Sequence, residues 1–297
     1  AARDCATAEG NLDLSKNGYA KIFELGINSP EVLFAVEFKS SVIDHAYDAY
    51  VRPSGDTKEL GKQVYSGFVP TSELVDSYEM AGDGGNFSWE KHGKDPYANR
   101  EPRFYATILY NGADWMGRKI ESFVGGKDGY KAYENAGAAG TTVTGYYLRK
   151  YLIDGDKTWV TSGSGQDWIV LRYAEVLLNK AEALAMENWN KNSAEALQAL
   201  NDVRARVGLP ARAKVELAGE GFRYWDLRRW RLAEKVIDGQ NVHGVKISKQ
   251  SDGSFTYEQV DADGGHKRIF YDRYYRFAIP LSERSNNSLC TNNDGWI

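Results

Sequence analysis

The stretch DWIVLRYAEVLLNKAEALAMENWNKNSAEALQALNDVRARVGLP, residues 167–210, decides the fold. Its apolar positions Ile169, Tyr173, Val176, Leu177, Ala181 and Leu184 recur at helical spacing, and Asp167 stands where a helix N-cap is needed. The cluster Asn188-Trp189-Asn190 is turn chemistry that ends this helix. Ser193 then reads as the cap of a second helix with a stripe of Ala196, Leu197, Leu200 and Val203, closed by Gly208-Leu209-Pro210. Two helices with so short a link make an antiparallel αα-hairpin, the unit that tetratricopeptide arrays repeat. Such a unit buries its faces only against neighbours, so the pattern predicts further helical layers upstream.

Outward from this segment, EGFRYWDLRRWRLAEKVI at 220–237 is a third amphipathic stretch, while SFTYEQV at 254–260 and KRIFYDRYYRFAIP at 267–280 have strand composition. SNNSLCTNNDGW at 285–296 is polar turn sequence. Upstream, Tyr19–Phe23 reads as a short helical turn and EVLFAVEF (31–38) as a buried strand. VPTSELVDSYEM (69–80) reads as a short helix capped by Thr71 or Ser72, RFYATILY (103–110) as a strand, and Asn111-Gly112 as a tight turn. Residues 39–67 and 81–98 read as loops, and 113–166, with ten glycines, as a long irregular excursion. The expected division is a loop-rich region over 1–166 with short strands and helices, followed by a helical region over 167–297.

With 297 residues the chain can bury a substantial core without staples. Its two cysteines, Cys5 and Cys290, stand near opposite ends and support neither a disulfide framework nor a C-x-x-C motif. The 37 basic and 41 acidic residues nearly balance without a long basic run, which argues against nucleic acid and for an uncharged ligand. No apolar run is long enough to cross a bilayer, and AARDCATAEG lacks a signal-peptide pattern. AARDCATAEGNLDL reads instead as the tail of a helix without its earlier turns, as in a fragment.

Catalytic motifs are missing. His45, His92, His243 and His266 are scattered, and no nucleophile elbow, phosphate loop or dinucleotide fingerprint occurs. No cofactor is therefore expected, although Asp83-Gly84-Gly85-Asn86 has the composition to help hold a structural calcium ion. The carboxylates Glu175, Glu182, Glu220 and Asp226 lie beside arginines at three-residue spacing (Arg172 with Glu175, Glu220 with Arg223, Asp226 with Arg229). Arginine lowers a carboxyl pKa, which suits structural pairing better than general-acid chemistry. Arg223, Arg228, Arg229 and Arg231 alternate with Phe222, Tyr224, Trp225 and Trp230, a pattern expected to pair and stack within a core face.

RYAEVLLNKAEAL (172–184), LNDVRARVGLP (200–210), EGFRYWDLRRW (220–230), YRFAIPLSE (275–283) and NNDGW (292–296) together resemble, in this order, the C-terminal half of SusD/RagB proteins. LSKNGYAKIF, EVLFAVEF, VPTSELVDSYEM and NREPRFYATILYNG extend the resemblance over nearly the whole chain. It implies a mainly α, SusD-like fold: a tetratricopeptide-like helical scaffold with a loop-rich part and minor β-strands. It further implies a surface-exposed lipoprotein of the outer membrane, anchored through an N-terminal cysteine other than Cys5, that partners a TonB-dependent SusC-type transporter. Members hold oligosaccharides, or peptides in some cases, without converting them. Two departures stand out: the N-terminal half is missing, and the stretch between Gly208 and Glu216 is shorter than the family's.

The matching motifs are scaffold, so candidate ligand contacts are sought among the loop aromatics. The 8 Trp and 19 Tyr outnumber the 11 Phe, an excess of rings that stack on sugars while hydrogen bonding at one edge. Tyr47, Tyr50, Tyr65 and Trp89 are the expected ligand-binding residues, with Trp115 and Trp159 in reserve. The competing functions are a peptide receptor of the RagB kind, a polysaccharide hydrolase and a repeat scaffold without a small ligand.

Overall fold

The computed structural model describes residues 18–82, 85–135, 140–205 and 215–296. In chain order the helices are α1 (Gly18–Leu25), α2 (Tyr47–Val51), α3 (Asp56–Leu60), α4 (Ser72–Asp76), α5 (Trp89–His92), α6 (Pro102–Thr107), α7 (Trp159–Ser162), α8 (Tyr173–Ala205), α9 (Phe222–Arg229), α10 (Ala233–Ile237) and α11 (Leu281–Asn286). The strands are β1 (Val32–Val36), β2 (Ile108–Leu109), β3 (Asp114–Trp115), β4 (Arg118–Lys119), β5 (Tyr147–Leu148), β6 (Trp168–Arg172), β7 (His243–Lys249) and β8 (Phe255–Asp261). They pair antiparallel in four two-stranded sheets: β1 with β6, β2 with β5, β3 with β4, and β7 with β8. Helix predominates and the strands are short, as a mainly α chain requires.

The predicted hairpin is present, with a different cap. Lys180 and Glu195 form an ion pair at 2.9 Å, although 15 residues of straight helix would hold them about 22 Å apart. The chain therefore reverses within α8, at Asn188, whose φ of −164° and ψ of 97° are non-helical. The Asn188 side-chain oxygen accepts the Lys191 N–H, so Asn188, and not Ser193, caps the second arm. Asn192 ties back by donating to the Leu184 carbonyl. Asn188→Ala should lower the unfolding free energy by about 1 kcal/mol, read as a shifted urea midpoint with unchanged slope.

The structure corrects several other sequence expectations. Residues 168–172 form strand β6, not the first turn of the helix, and Asp167 caps nothing: its carboxylate accepts the N–H groups of Ile27 and Phe38. Trp-Ile-Val-Leu is too short a run for periodicity to separate strand from helix, and pairing with β1 decides. Strand β1 is only half-buried, with Phe34 and Val36 facing out. Residues 102–107 are helical because Pro102 sits at the first helical position, where its missing N–H costs nothing. The 39–67 segment holds α2 and α3, and 81–98 holds α5. Within 267–280 there is a 3-10 turn at Asp272–Tyr275 and no strand, while an unforeseen strand, β7, precedes β8.

The β1–β6 register pairs Val32 with Arg172, which places Glu31 beside that arginine. Arg172, expected to pair with Glu175, instead ion-pairs with Glu31 (2.6 Å), Glu216 (2.8 Å) and Glu220 (2.6 Å), because a strand side chain here points inward. Glu220 pairs with Lys150 at 2.6 Å, not with Arg223, and Arg103 bridges Glu101 and Glu216. All these side chains are buried. Burial pushes the Lys150 amine down to about 8, and the cluster joins residues on both sides of position 166.

Burial alone would raise the Glu220 carboxyl, but Arg172 and Lys150 hold it below the ordinary carboxylate range. A depressed folded-state pKa contributes stability that is present above the unfolded value, about 4.3, and is lost as pH falls through the folded one. The stability gap between the natural chain and Glu220→Gln should therefore be wide at pH 7 and narrow towards pH 3, measured by urea unfolding.

Candidate functional site

Two of the expected rings meet. Tyr50 on α2 and Tyr65 stack with centroids 5.1 Å apart and planes 26° from parallel, each 45% exposed. The backbone imposes this: Tyr65 N–H donates to the Ala49 carbonyl and Gly67 N–H to the Tyr50 carbonyl, both at 2.7 Å, so the 65–67 segment runs against α2.

Beside the pair opens a cleft of about 690 Å³. Ser41, Asp44, Ala46 and Ala49 form one wall and Thr161, Ser162 and Gly163 the other, with Lys62 and Trp159 between them. Ala46 and Ala49 line the cleft, and Tyr50 of the stacked pair directly follows Ala49 in the chain. The walls lie some 120 residues apart in sequence and are stitched together. Ser41 N–H donates to the Ser162 carbonyl (2.8 Å), the His45 and Ser164 backbones exchange bonds (3.0 and 2.8 Å), and Ser40 donates to the Gly163 carbonyl (3.0 Å). Gly163 has φ +72°, and a Cβ there would sit 2.3 Å from the Asp44 carboxyl carbon, so only glycine fits.

Beneath α2, Arg52 is fully buried between Trp115 and Trp159, 5.2 Å from each ring centroid. It pairs with Asp48 (2.8 Å) and Asp56 (3.4 Å), and Asp56 also accepts from Trp115 Nε1 and Arg118. Trp115 and Trp159 are both almost fully buried against this arginine, and Trp159 also lines the cleft. Tyr47 is half-buried: its hydroxyl donates to the Lys150 carbonyl (2.8 Å), its ring packs edge-on to Tyr151 and Trp168, and burial raises its hydroxyl pKa. Trp89 sits in a separate aromatic group with Phe87 and Tyr257, its Nε1 donating to Asp76 (2.9 Å).

Chemically, the cleft offers hydroxyls from Ser41, Thr161 and Ser162, one carboxylate and one ammonium. Lys62 Nζ donates to the Trp159 and Val160 carbonyls at 3.1 and 2.7 Å. Asp44 is the one carboxylate on the lining among the described residues, whereas hydrolysis of a glycosidic bond uses a pair. No metal-binding group of three or more His, Cys, Asp or Glu occurs among the described residues, and the calcium expectation rests on Asp83 and Gly84, which lie outside them, as does most of the 208–216 stretch. Sequence reading missed Asp44, Lys62, Thr161 and Ser162: polar loop residues without a period carry no signal of their own.

The profile of the SusD family matches residues 30–296. The chain belongs to the SusD family. Its SusD-type fold is shared with a SusD-like protein from Bacteroides fragilis (24% identity, TM-score 0.72, covering 96% of this chain and 58% of that one). A SusD-like carbohydrate binding protein from the same organism has 23% identity and a TM-score of 0.67, covering 96% and 63%. Surface glycan-binding protein A from Bacteroides thetaiotaomicron has 19% identity and a TM-score of 0.51, covering 99% and 60%. At these identities the likeness establishes the fold, and this SusD-family chain spans roughly three-fifths of the length of each structure. No curated protein matches it.

Proposed function

We propose that this SusD-family chain is a binding receptor that captures a glycan in the cleft beside Tyr50 and Tyr65 and leaves it chemically unchanged. The exposed tyrosine pair, whose Tyr50 directly follows Ala49 on the wall of a hydroxyl-lined cleft, carries this reading. Flat rings cover the apolar face of a pyranose while neighbouring hydroxyls and charged groups satisfy its hydroxyls. The pinned walls and the buried Arg52 below α2 hold the contacts ready, which limits the entropy lost on binding. Two of the similar structures bear names that refer to carbohydrate or glycan binding, which supports the ligand class.

The delivery step is part of the proposal: the glycan passes to a TonB-dependent SusC-type transporter, with the receptor held at the outer-membrane surface by a lipid anchor. Family membership supports this, and no described helix is long and apolar enough to cross a membrane. Isothermal titration against soluble polysaccharides and against peptides tests the ligand class. Saturable heat with a glycan, and a glycan of unaltered length afterwards, is expected; heat with peptides alone would replace this reading with a peptide receptor.

A further inference from the structure

We propose that Asp44 makes the cleft selective for neutral glycans: its carboxylate accepts hydrogen bonds from the hydroxyls of a sugar and turns away units that carry a carboxylate or a sulfate. This selectivity rests on the receptor reading above and narrows its ligand from glycans in general to uncharged ones. Asp44 is held in place by packing. Gly163 on the opposite wall has φ +72°, and the space a Cβ would need there is filled by the Asp44 carboxyl group, so the carboxylate lies lodged across the cleft. No lysine, arginine or histidine pairs with it among the described residues.

The other titratable groups at the cleft are already committed. Two of the three N–H bonds of Lys62 go to the Trp159 and Val160 carbonyls, whose dipoles take up much of its charge and leave one donor for a sugar oxygen. His45 Nδ1 accepts the Tyr47 N–H (3.3 Å) while Nε2 donates to the Gln166 carbonyl (2.9 Å), the pattern of an uncharged ring. Asp48 is buried, with Arg52 on one oxygen (2.8 Å) and the Gln166 amide on the other (2.9 Å). Asp44 thus remains as the charge whose acceptors a ligand can use. A sugar hydroxyl that donates to a carboxylate makes a charge-assisted bond about twice as strong as a neutral one. A uronate or sulfate group has no proton to give there and meets a like charge, which suppresses binding of the wrong ligand.

The test titrates the whole chain with soluble neutral polysaccharides (α-glucan, β-glucan, mannan and galactan) and with acidic ones (polygalacturonate, alginate and chondroitin sulfate). The tightest binding should be to a neutral polysaccharide, and oxidising the primary hydroxyls of that polysaccharide to carboxylates should weaken it at least about tenfold at low salt. The penalty should shrink in about 0.5 M salt, as a charge effect does and a change of shape does not. In Asp44→Asn, which should melt with the natural chain, the neutral form should bind about tenfold more weakly and the penalty should fall below about threefold. Equal binding of the neutral and oxidised forms, tightest binding by an acidic polysaccharide, or a penalty that Asp44→Asn or salt leaves unchanged would overturn the selectivity while the receptor reading stands. Binding of no glycan at all would remove the receptor reading and the selectivity with it.

Discussion

Arg172→Met should melt at least about 10 °C below the natural chain, with most of the protein insoluble on expression. The arginine is surrounded by Glu31, Glu216 and Glu220 at 2.6–2.8 Å, and methionine would leave three buried carboxylates facing one another. Breaking one buried pair costs about 3–5 kcal/mol, a large part of the roughly 5–15 kcal/mol that holds a domain together. Lys150 and Arg103 cannot compensate, since Lys150 already serves Glu220 and Arg103 serves Glu101 and Glu216. Arg172→Lys should fall between the two, because a point charge keeps the attraction but cannot match the fork that spans three acids. Thermal melting by circular dichroism decides, and a methionine variant with wild-type melting would show that the cluster is not what fastens β1 and β6 to the 215–220 turn.

Removal of either tyrosine of the pair should cost binding and spare the fold. A sugar face laid on one ring removes several tens of Å² of apolar surface from water, which at about 25 cal/mol per Å² is about 1–1.5 kcal/mol, or close to tenfold in affinity. Tyr50→Ala and Tyr65→Ala are each expected to weaken glycan binding about tenfold. The double variant should lose less than the sum, because each ring also supports the other at 5.1 Å. Melting should fall only slightly, both side chains being nearly half-exposed. Trp89→Ala, by contrast, strands the Asp76 carboxylate that its indole N–H satisfies, so any loss of affinity there would come with a loss of stability.

The contrast between these variants follows what the sequence could and could not convey. The hairpin was legible because the apolar period before and after Asn188 is local, but both caps were misplaced: the first arm begins at Tyr173, after strand β6, and Asn188 caps the second arm five residues before Ser193. Tyr50 and Tyr65 stood out as aromatic residues in a polar segment, but nothing local distinguished them from Tyr47, whose hydroxyl is drawn inward by a carbonyl 103 residues away. The Arg172 cluster was misread for the same reason: three-residue spacing nominated Glu175, whereas strand pairing supplied Glu31 from 141 residues upstream. Opposed cleft walls and buried ion clusters are products of long-range pairing, and composition or period registers neither.

A crystal structure of the chain with a bound oligosaccharide tests the central claim most directly. The account predicts an intact glycan with a pyranose seated on the free face of the Tyr50–Tyr65 pair and its hydroxyls within hydrogen-bond reach of Asp44, Lys62 or the Thr161–Ser162 wall. A sugar bound away from both tyrosines, or a glycan found cleaved, would contradict it.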